Sequence, residues 1–260
     1  MLRAKKSFGQ HFLTSEQIAQ RIVESLRKTE VYKKVLEVGP GKGILTKYLL
    51  EAPFELVAVE ADSDMVTYLQ QFYPQLDGRL VEADFLKLRL EKVMGEEPFG
   101  LIGNFPYNIS SQILIKMVEY RKQIPEMVGM FQREMAERVI APPGSKTYGV
   151  ISVLVQAFYE GEYLFTVKQG SFSPPPKVQS AVIRLTRKDP YSLDCDERLF
   201  RIIVKQAFNQ RRKMLRNTLK GLLPDEVLKE EYFQQRPEVL GVEDFVELTR
   251  KAAIARGDAV

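Results

Sequence analysis

The sequence has little of what metal centres and disulfide scaffolds require. Among its 260 residues there is one cysteine, one histidine and no tryptophan. Cys195 has no partner for a disulfide within the chain, and Cys195 and His11 alone are too few to build a zinc site. We therefore expect neither an internal disulfide nor a metal cofactor.

Long apolar runs are missing as well. No stretch approaches the roughly 18 consecutive apolar residues that cross a membrane. Residues 1–7 are basic, and no apolar core of a signal peptide follows them. These absences predict a cytoplasmic protein without a membrane partner, and we expect it to be a monomer.

The overall composition is that of a globular protein, but its charge is unevenly spread. The formal net charge is +4 at pH 7. Residues 201–220 contain seven basic residues and no acidic one, namely Arg201, Lys205, Arg211, Arg212, Lys213, Arg216 and Lys220. Because Phe208, Asn209 and Gln210 lie among these charges and add stacking and hydrogen bonding, the segment favours an RNA-binding surface over a merely solvated face.

A glycine-rich turn follows the first apolar run. Residues 35–43 read Val-Leu-Glu-Val-Gly-Pro-Gly-Lys-Gly, and a helical pattern begins at Ile44. Glycine lets the backbone pass close to a ligand because it has no Cβ, so this is typical of the first β-α unit of a nucleotide-binding sheet. A second apolar run, residues 56–60, ends in Glu60, which is placed to bind ribose hydroxyls.

Two classes of protein share this logic. Dehydrogenases carry the pattern G-x-G-x-x-G, but here the sixth position is Ile44 and the glycines are Gly39, Gly41 and Gly43. The pattern E-x-G-x-G-x-G is the one that S-adenosylmethionine enzymes use. We therefore expect S-adenosylmethionine as the cofactor, with a nicotinamide dehydrogenase as the alternative that a binding titration would test.

The tetrapeptide Asn104-Phe105-Pro106-Tyr107 follows another apolar run and suits the methylation of an exocyclic amine. The amino group of adenine is a poor nucleophile, so a catalyst must accept hydrogen bonds from its N–H groups. The Asn104 side chain and the carbonyl before Pro106 can do so, and proline stiffens the turn. Tyr107 offers a face on which a flipped-out base can stack.

The alternation of short apolar runs with helical patterns predicts an α/β fold with a parallel sheet. We expect strands near residues 34–38, 56–60, 79–82, 99–103 and 126–131. Helices should begin near Ile44, after Asp62, and at Ser110, where residues 110–112 can cap the next run. Since ligands bind beyond the carboxyl ends of such strands, Gly39, Glu60, Asp84 and Asn104 should meet in one crevice.

The second half of the chain predicts two more extended segments and then a change of class. The extended segments, residues 162–168 and 179–185, flank a proline-rich connection that follows Phe172. A composition shift at residues 187–190 marks a domain boundary, giving a sheet domain over residues 1–188 and a small all-helical RNA-binding domain over residues 189–260. Within the basic segment we expect a break near Asn209, because a single helix would place Leu219 on its charged face.

With these motifs in place, the sequence resembles the ribosomal RNA small-subunit adenine dimethyltransferase family over nearly its whole length. The segments that carry the resemblance are residues 6–13, 37–41, 104–110, 172–182 and 208–213. The resemblance implies a class I S-adenosylmethionine-dependent methyltransferase with a Rossmann-like sheet. It implies methylation of two adjacent adenines, in a hairpin near the 3′ end of 16S ribosomal RNA within the small subunit, to N6,N6-dimethyladenosine.

The resemblance also implies roles for individual residues. The cofactor would contact His11, Leu13, Gly39, Gly41, Glu60, Asp84 and Asn104, and the target base would meet Asn104, Pro106, Tyr107 and Phe172. Tyr107 and Phe172 would sandwich that base. The sequence departs from the family pattern in two places, since the family more often has Asn at position 11 and Leu or Ile at position 105.

Two further alternatives stay open. A related family methylates one adenine of large-subunit RNA, although residues 208–213 favour the small-subunit enzyme. A non-catalytic assembly or transcription factor can use the same fold, although the glycine turn, Glu60 and Asn104 argue against it.

Overall fold

The structure is a computed structural model that describes residues 10–256. The N-terminal basic residues 1–7, and residues 6–9 of the segment that carried the resemblance, lie outside this range. The strands in this range are β1 (Phe12–Leu13), β2 (Lys34–Val38), β3 (Glu55–Glu60), β4 (Leu80–Glu82), β5 (Phe99–Asn104), β6 (Glu126–Gln132), β7 (Tyr159–Val167), β8 (Phe172–Ser173) and β9 (Ser180–Arg187). The helices are α1 (Glu16–Val23), α2 (Ile44–Glu51), α3 (Ser63–Phe72), α4 (Leu90–Met94), α5 (Ser110–Glu119), α6 (Arg133–Val139), α7 (Val150–Gln156), α8 (Glu197–Asn209), α9 (Leu215–Thr218) and α10 (Val242–Arg256).

A seven-stranded sheet with the order β4-β3-β2-β5-β6-β9-β7 is the centre of the fold. Strands β4, β3, β2, β5 and β6 pair in parallel, and β9 pairs antiparallel with β6. The strand order reverses direction between β2 and β5, so the carboxyl ends of these two strands flank the switch point where doubly wound sheets bind ligands. The predicted α/β class is confirmed.

The central strands are buried along almost their whole length. Strand β2 reads Lys-Val-Leu-Glu-Val, and every residue after Lys34 is buried. A parallel sheet covered by helices on both faces requires such continuous apolar runs. The five strands predicted in the first half of the chain, and the two extended segments predicted in the second half, are therefore confirmed.

Helix starts follow the local sequence with one exception. Helix α2 begins at Ile44 after Gly43, whose φ is 80°, and the Asp62 carboxylate caps α3 by accepting from the N–H of Asp64 at 3.1 Å. Helix α5 begins at Ser110 as predicted, but the predicted side-chain cap is wrong. The Ser110 hydroxyl instead donates to the carbonyl oxygen of Pro106 at 3.2 Å.

A second, two-stranded sheet was not predicted. Strands β1 and β8 pair antiparallel, with Phe12 opposite Ser173 and Leu13 opposite Phe172. The pairing joins residues about 160 positions apart, and the hydroxyl of Thr14 adds a bond to the Ser171 carbonyl at 3.0 Å.

The chain divides into two compact units. One unit comprises the residues up to Ala136 together with Glu160–Arg187, and the other comprises Glu137–Tyr159 and the residues from Lys188 onward. The second unit thus takes in Glu137–Tyr159, which the predicted boundary at residue 188 places in the first domain.

Helices α7, α8 and α10 build the second unit around aromatic rings. The Phe208 ring lies 6.1 Å from Tyr148 and 5.9 Å from Phe245, centroid to centroid. Helix α8 ends at Asn209 and α9 begins at Leu215, so the predicted break is confirmed. Over residues 10–256, no helix combines the length and the apolar character needed to cross a membrane.

Candidate active site

A cavity of about 410 Å³ lies at the carboxyl ends of β2, β3 and β5. Its walls bring together nine of the residues that the sequence assigned to cofactor and target base. These are His11, Leu13, Gly39, Gly41, Glu60, Asp84, Asn104, Pro106 and Tyr107. Residues that are up to 96 positions apart in the sequence therefore share one site.

The glycine turn forms one wall of this cavity, and its backbone shape requires glycine. Gly39, Gly41 and Gly43 have φ values of 68°, 57° and 80°, which L side chains rarely adopt. A Cβ on Gly43 would also lie 2.4 Å from the Tyr73 ring, and one on Gly41 would lie 3.0 Å from the Phe12 ring. Substitution here would be both strained and crowded.

Glu60 is held rigidly at the end of β3. Its carboxylate accepts from the N–H groups of Gly41 at 3.0 Å, Ala61 at 2.8 Å and Asp62 at 2.9 Å. Burial raises the pKa of this carboxyl, while the three N–H donors oppose that effect. Because one of these donors belongs to the glycine turn, Glu60 also locks the turn to the neighbouring strand.

Glu37, the first residue of the E-x-G-x-G-x-G pattern, lines the cavity but was given no role from the sequence. It lines the cavity from within β2, is 1% exposed, and accepts from the Thr46 hydroxyl at 2.7 Å. Burial raises the pKa of Glu37 to about 8, opposed by the Thr46 hydrogen bond, and the nearby Glu60 charge adds to the rise. An acidic residue inside an otherwise apolar strand was the signal that could have placed it in the site.

Asp84 lies on a turn after β4 and forms another wall. Its carboxylate accepts from the N–H of Leu86 at 2.9 Å and lies 3.7 Å from the Lys87 ammonium. The side chain is 45% exposed, which leaves the carboxylate accessible to a hydrogen-bond donor in the cavity.

The Asn104 amide has a defined orientation. Its Nδ2 group donates to the carbonyl oxygen of His11 at 3.0 Å. Among residues 10–256, no protein group donates to Oδ1 of Asn104, so this oxygen can accept from a ligand. That is the acceptor which an exocyclic amine needs.

Phe105 anchors this motif in the core. The ring is 1% exposed and packs at 5.1 Å from Phe131, centroid to centroid. It lies on two glycines, since a Cβ on Gly129 would be 2.3 Å from the ring and one on Gly103 would be 2.8 Å away. The departure from Leu or Ile at position 105 is thus accommodated by missing side chains on β5 and β6.

Tyr107 is fixed at both its hydroxyl and its ring. The hydroxyl lies 2.5 Å from the Ser180 hydroxyl, and the ring stacks on His11 with a centroid distance of 5.5 Å. Burial raises the pKa of Tyr107, so the phenol is neutral near pH 7. The Nδ1 atom of His11 lies 2.9 Å from the carbonyl oxygen of Pro174, which can only accept, so Nδ1 carries the proton.

Phe172 is the one predicted base contact that the structure places elsewhere. Its side chain is 4% exposed, belongs to the hydrophobic core, and does not line the cavity. The physical reason is the β1–β8 pairing, which sets Phe172 opposite Leu13. In this conformation the ring packs against the protein.

The predicted RNA-binding residues lie on α8, on α9 and on the connection between them. Lys205, Arg212, Lys213 and Arg216 are exposed, whereas Arg201 and Arg211 are half-buried. Arg211 donates to the carbonyl oxygen of Ser145 at 3.2 Å, so it also holds the second unit together. The exposed stripe of α8 includes Arg198, a basic residue just before the predicted segment that the sequence reasoning missed.

A doubly wound sheet with this glycine turn, an acidic residue at the end of β3 and an Asn-Phe-Pro-Tyr turn at the end of β5 defines a class I methyltransferase. The sequence model of the family described as ribosomal RNA adenine dimethylase matches residues 1–254. The chain belongs to this family.

Curated relatives and solved structures agree with this assignment. A protein of Flavobacterium johnsoniae named ribosomal RNA small subunit methyltransferase A is 53% identical over 251 residues, which is 96% of each chain. The protein of the same name in Parabacteroides distasonis is 54% identical over 255 residues, 96% of this chain and 94% of the relative.

Two solved structures resemble the whole chain. A dimethyladenosine transferase from Plasmodium falciparum has a TM-score of 0.78 at 25% identity and covers 95% of this chain and 99% of its own. The 23S rRNA methyltransferase ErmE has a TM-score of 0.67 at 26% identity, with 92% and 99% covered.

The residues of the cavity fit S-adenosylmethionine. The volume of the cavity lies within the roughly 300–1,000 Å³ of small-molecule sites. The glycine turn permits close approach of a ligand, and the Glu60 and Asp84 carboxylates can accept from ribose hydroxyls and from an adenine amine. Leu13, Leu45 and Phe85 add apolar surface. The walls thus combine apolar area with a few directed polar groups.

Proposed function

We propose that the chain methylates N6 of two adjacent adenines in a hairpin near the 3′ end of 16S ribosomal RNA, within the small ribosomal subunit, and that both become N6,N6-dimethyladenosine. The observation that carries the proposal is the Oδ1 atom of Asn104 at the end of β5, which has no donor among residues 10–256 and lies in the same cavity as the glycine turn and Glu60. The name of the curated relatives, ribosomal RNA small subunit methyltransferase A, supports the choice of subunit.

S-adenosylmethionine supplies an electrophilic methyl group. Glu60, at the carboxyl end of β3, would accept from the ribose hydroxyls, and Asp84 would accept from the adenine amine of the cofactor. The backbone at Gly39 and Gly41 passes alongside without a side chain in the way. Together these groups would hold the methyl donor in the cavity that Asn104 also lines.

Asn104 and the Phe105 carbonyl act on the target base. Asn104 Oδ1 and that carbonyl accept from the N6 hydrogens, which aligns the nitrogen lone pair for in-line attack and stabilises the positive charge that develops there. Pro106 has no N–H and fixes the turn. Direct transfer of the methyl group to nitrogen needs no enzyme nucleophile. Water takes the proton that the methylated amine then releases.

Tyr107 stacks on the target adenine, and Phe172 contributes by packing. The Tyr107 hydroxyl is anchored by Ser180, so the ring keeps a fixed plane. Phe172 supports the site through β8, whose partner β1 carries the cavity residue Leu13.

The second unit binds the RNA. Its exposed cations Lys205, Arg212, Lys213 and Arg216 supply phosphate contacts, with Arg201 and Arg211 beside them. Phosphate contacts position a nucleic acid without reading its sequence. We propose that the protein acts as a monomer in the cytoplasm, where small subunits are assembled.

The main alternative is methylation of large-subunit RNA. The structural similarity to the 23S rRNA methyltransferase ErmE supports this alternative. The full-length protein would be incubated with labelled S-adenosylmethionine in two separate reactions. One reaction contains unmethylated small subunits, and the other contains unmethylated large subunits. We expect label in the small-subunit RNA alone. Label confined to the large subunit would contradict the proposal and favour the alternative.

A further inference from the structure

Lys116 is a buried lysine on α5 that does not line the cavity. Its exposed fraction is 7%, and desolvation lowers its pKa. The ammonium donates to the carbonyl oxygens of Phe85 at 2.6 Å and Leu86 at 3.1 Å, and also to that of Leu88. Its three N–H donors are therefore all used by one short turn.

That turn carries Asp84. The Asp84 carboxylate accepts from the Leu86 N–H, and the Phe85 carbonyl accepts from the Leu88 N–H at 3.3 Å as well as from Lys116. The Phe85 ring is buried, lines the cavity, and lies 5.0 Å from the ammonium. Lys116 thus binds the turn through its backbone and contacts one of its rings.

Burying a lysine costs free energy, and a neutral side chain of similar length would fill the same space without that cost. The carbonyl oxygens of residues 85, 86 and 88 all accept from one nitrogen atom, and the three donors of an ammonium match these three acceptors. The Lys116 ammonium therefore serves to satisfy the carbonyl oxygens of the turn, and filling space alone would not require its charge.

The connection of α5 gives this contact its significance. Helix α5 begins at Ser110, directly after the Asn104 to Tyr107 motif, and its Ser110 hydroxyl bonds the Pro106 carbonyl. One end of the helix is thus joined to the wall that faces the target base, and Lys116 joins the helix to the turn that carries Asp84. The two walls are mechanically linked.

We propose that Lys116 is a positioning residue that sets the Asp84 turn, and with it recognition of the cofactor's adenine. The inference rests on the role of Asp84 given under Proposed function. It places the lysine away from the reacting atoms, acting through the turn that it holds.

The test measures preference for adenine in the full-length protein. Calorimetry would compare S-adenosylhomocysteine with its hypoxanthine counterpart, which has an oxygen in place of the amine that Asp84 accepts from. The wild type should prefer adenine by about tenfold, the size expected for one charged hydrogen bond. Asp84→Asn and Lys116→Met should each lose most of that preference, and Lys122→Met, an exposed lysine just beyond α5, should keep it.

A folded Lys116→Met protein with the wild-type preference would overturn the proposal, as would an equal loss in Lys122→Met. Lys116→Gln, which retains two donors without the charge, should keep part of the preference. If both variants fail to fold, amide exchange of the wild type decides. The N–H groups of residues 86–88 should exchange as slowly as those of α5, and unprotected exchange would refute the proposal.

A wild type without any preference for adenine would overturn both the Asp84 role and this inference. It would leave ribosomal RNA methylation intact, since the subunit-labelling experiment decides that question separately.

Discussion

At the scale of single residues, the proposed chemistry depends on the orientation of one amide. Asn104 donates through Nδ2 to the His11 carbonyl, so the opposite oxygen faces the site with no protein donor among residues 10–256. Alanine at position 104 removes the hydrogen-bond acceptor, while Phe105 and Pro106 still maintain the turn. Turnover on small subunits should fall by on the order of 10²–10³, as for loss of one transition-state hydrogen bond.

Single-turnover rates with saturating RNA measure this effect, and cofactor titration and thermal unfolding serve as controls for binding and folding. Asn217→Ala, an exposed asparagine on α9, is the matched substitution and should retain the wild-type rate. A folded Asn104→Ala protein with the wild-type rate would remove Asn104 from catalysis.

Glu37 predicts how the free energy of unfolding depends on pH. Its pKa is about 8 in the folded protein against an ordinary value of 4.5. Between these values the folded state holds a proton that the unfolded state has released, so the contribution of Glu37 to stability falls as pH rises from 4.5 to 8. Below 4.5 both states are protonated, and above 8 both are ionised.

Glu37→Gln keeps the shape and removes the titration. We expect the unfolding free energy, measured by urea denaturation at pH 5 and pH 8, to change less with pH in this variant than in the wild type. Glu51→Gln, an exposed glutamate at the end of α2, is the control and should keep the wild-type slope. An unchanged slope in Glu37→Gln would show that Glu37 does not titrate in this window.

At the scale of elements, β5 and β6 form a glycine platform for Phe105. A methyl group at position 129 would meet the Phe105 ring at 2.3 Å and the Phe131 ring at 2.7 Å. Gly129→Ala should therefore destabilise the fold by about 1–3 kcal/mol, the usual cost of overpacking a core.

The companion substitution Phe105→Leu removes the crowded ring atoms, so the double variant Gly129→Ala, Phe105→Leu should regain part of the loss. A double-mutant cycle of unfolding free energies measures this coupling. Gly170→Ala, where an added Cβ meets nothing within 4 Å, should change stability little. Strictly additive effects at positions 105 and 129 would argue against direct crowding.

The central strands could be predicted because a strand buried on both faces has a recognisable apolar run. The glycine turn could be predicted because its glycines directly follow such a run. Strands of two residues have no such periodicity, so the β1–β8 pairing could not be predicted. Lys116 was also missed, since a lysine in a helical run normally indicates a solvated position. Its proposed role depends on carbonyl groups of a turn 28 to 31 residues earlier in the chain.

At the scale of the whole molecule, we propose that chemistry and RNA binding fall in the two different compact units. Arg212, Lys213 and Arg216 are exposed, and neutralising all three to glutamine should weaken RNA binding and flatten its dependence on salt. The log-log slope should drop by about 0.7–0.9 for each RNA phosphate that the variant no longer neutralises.

Filter binding to small subunits over a range of salt concentrations gives this slope, and cofactor affinity should be unchanged. Neutralising three lysines of the first unit, Lys33, Lys92 and Lys122, provides a control with the same change in net charge. If both triple variants lower the slope equally, net charge and not the basic segment attracts the RNA.

The most direct test of the account is mass spectrometry of small-subunit RNA from cells that lack this protein, complemented with the wild type or with Asn104→Ala. The wild type should restore two adjacent N6,N6-dimethyladenosines in the hairpin near the 3′ end, and Asn104→Ala should leave both adenines largely unmodified. Two dimethylated adenines in the uncomplemented cells, or full modification by Asn104→Ala, would contradict it.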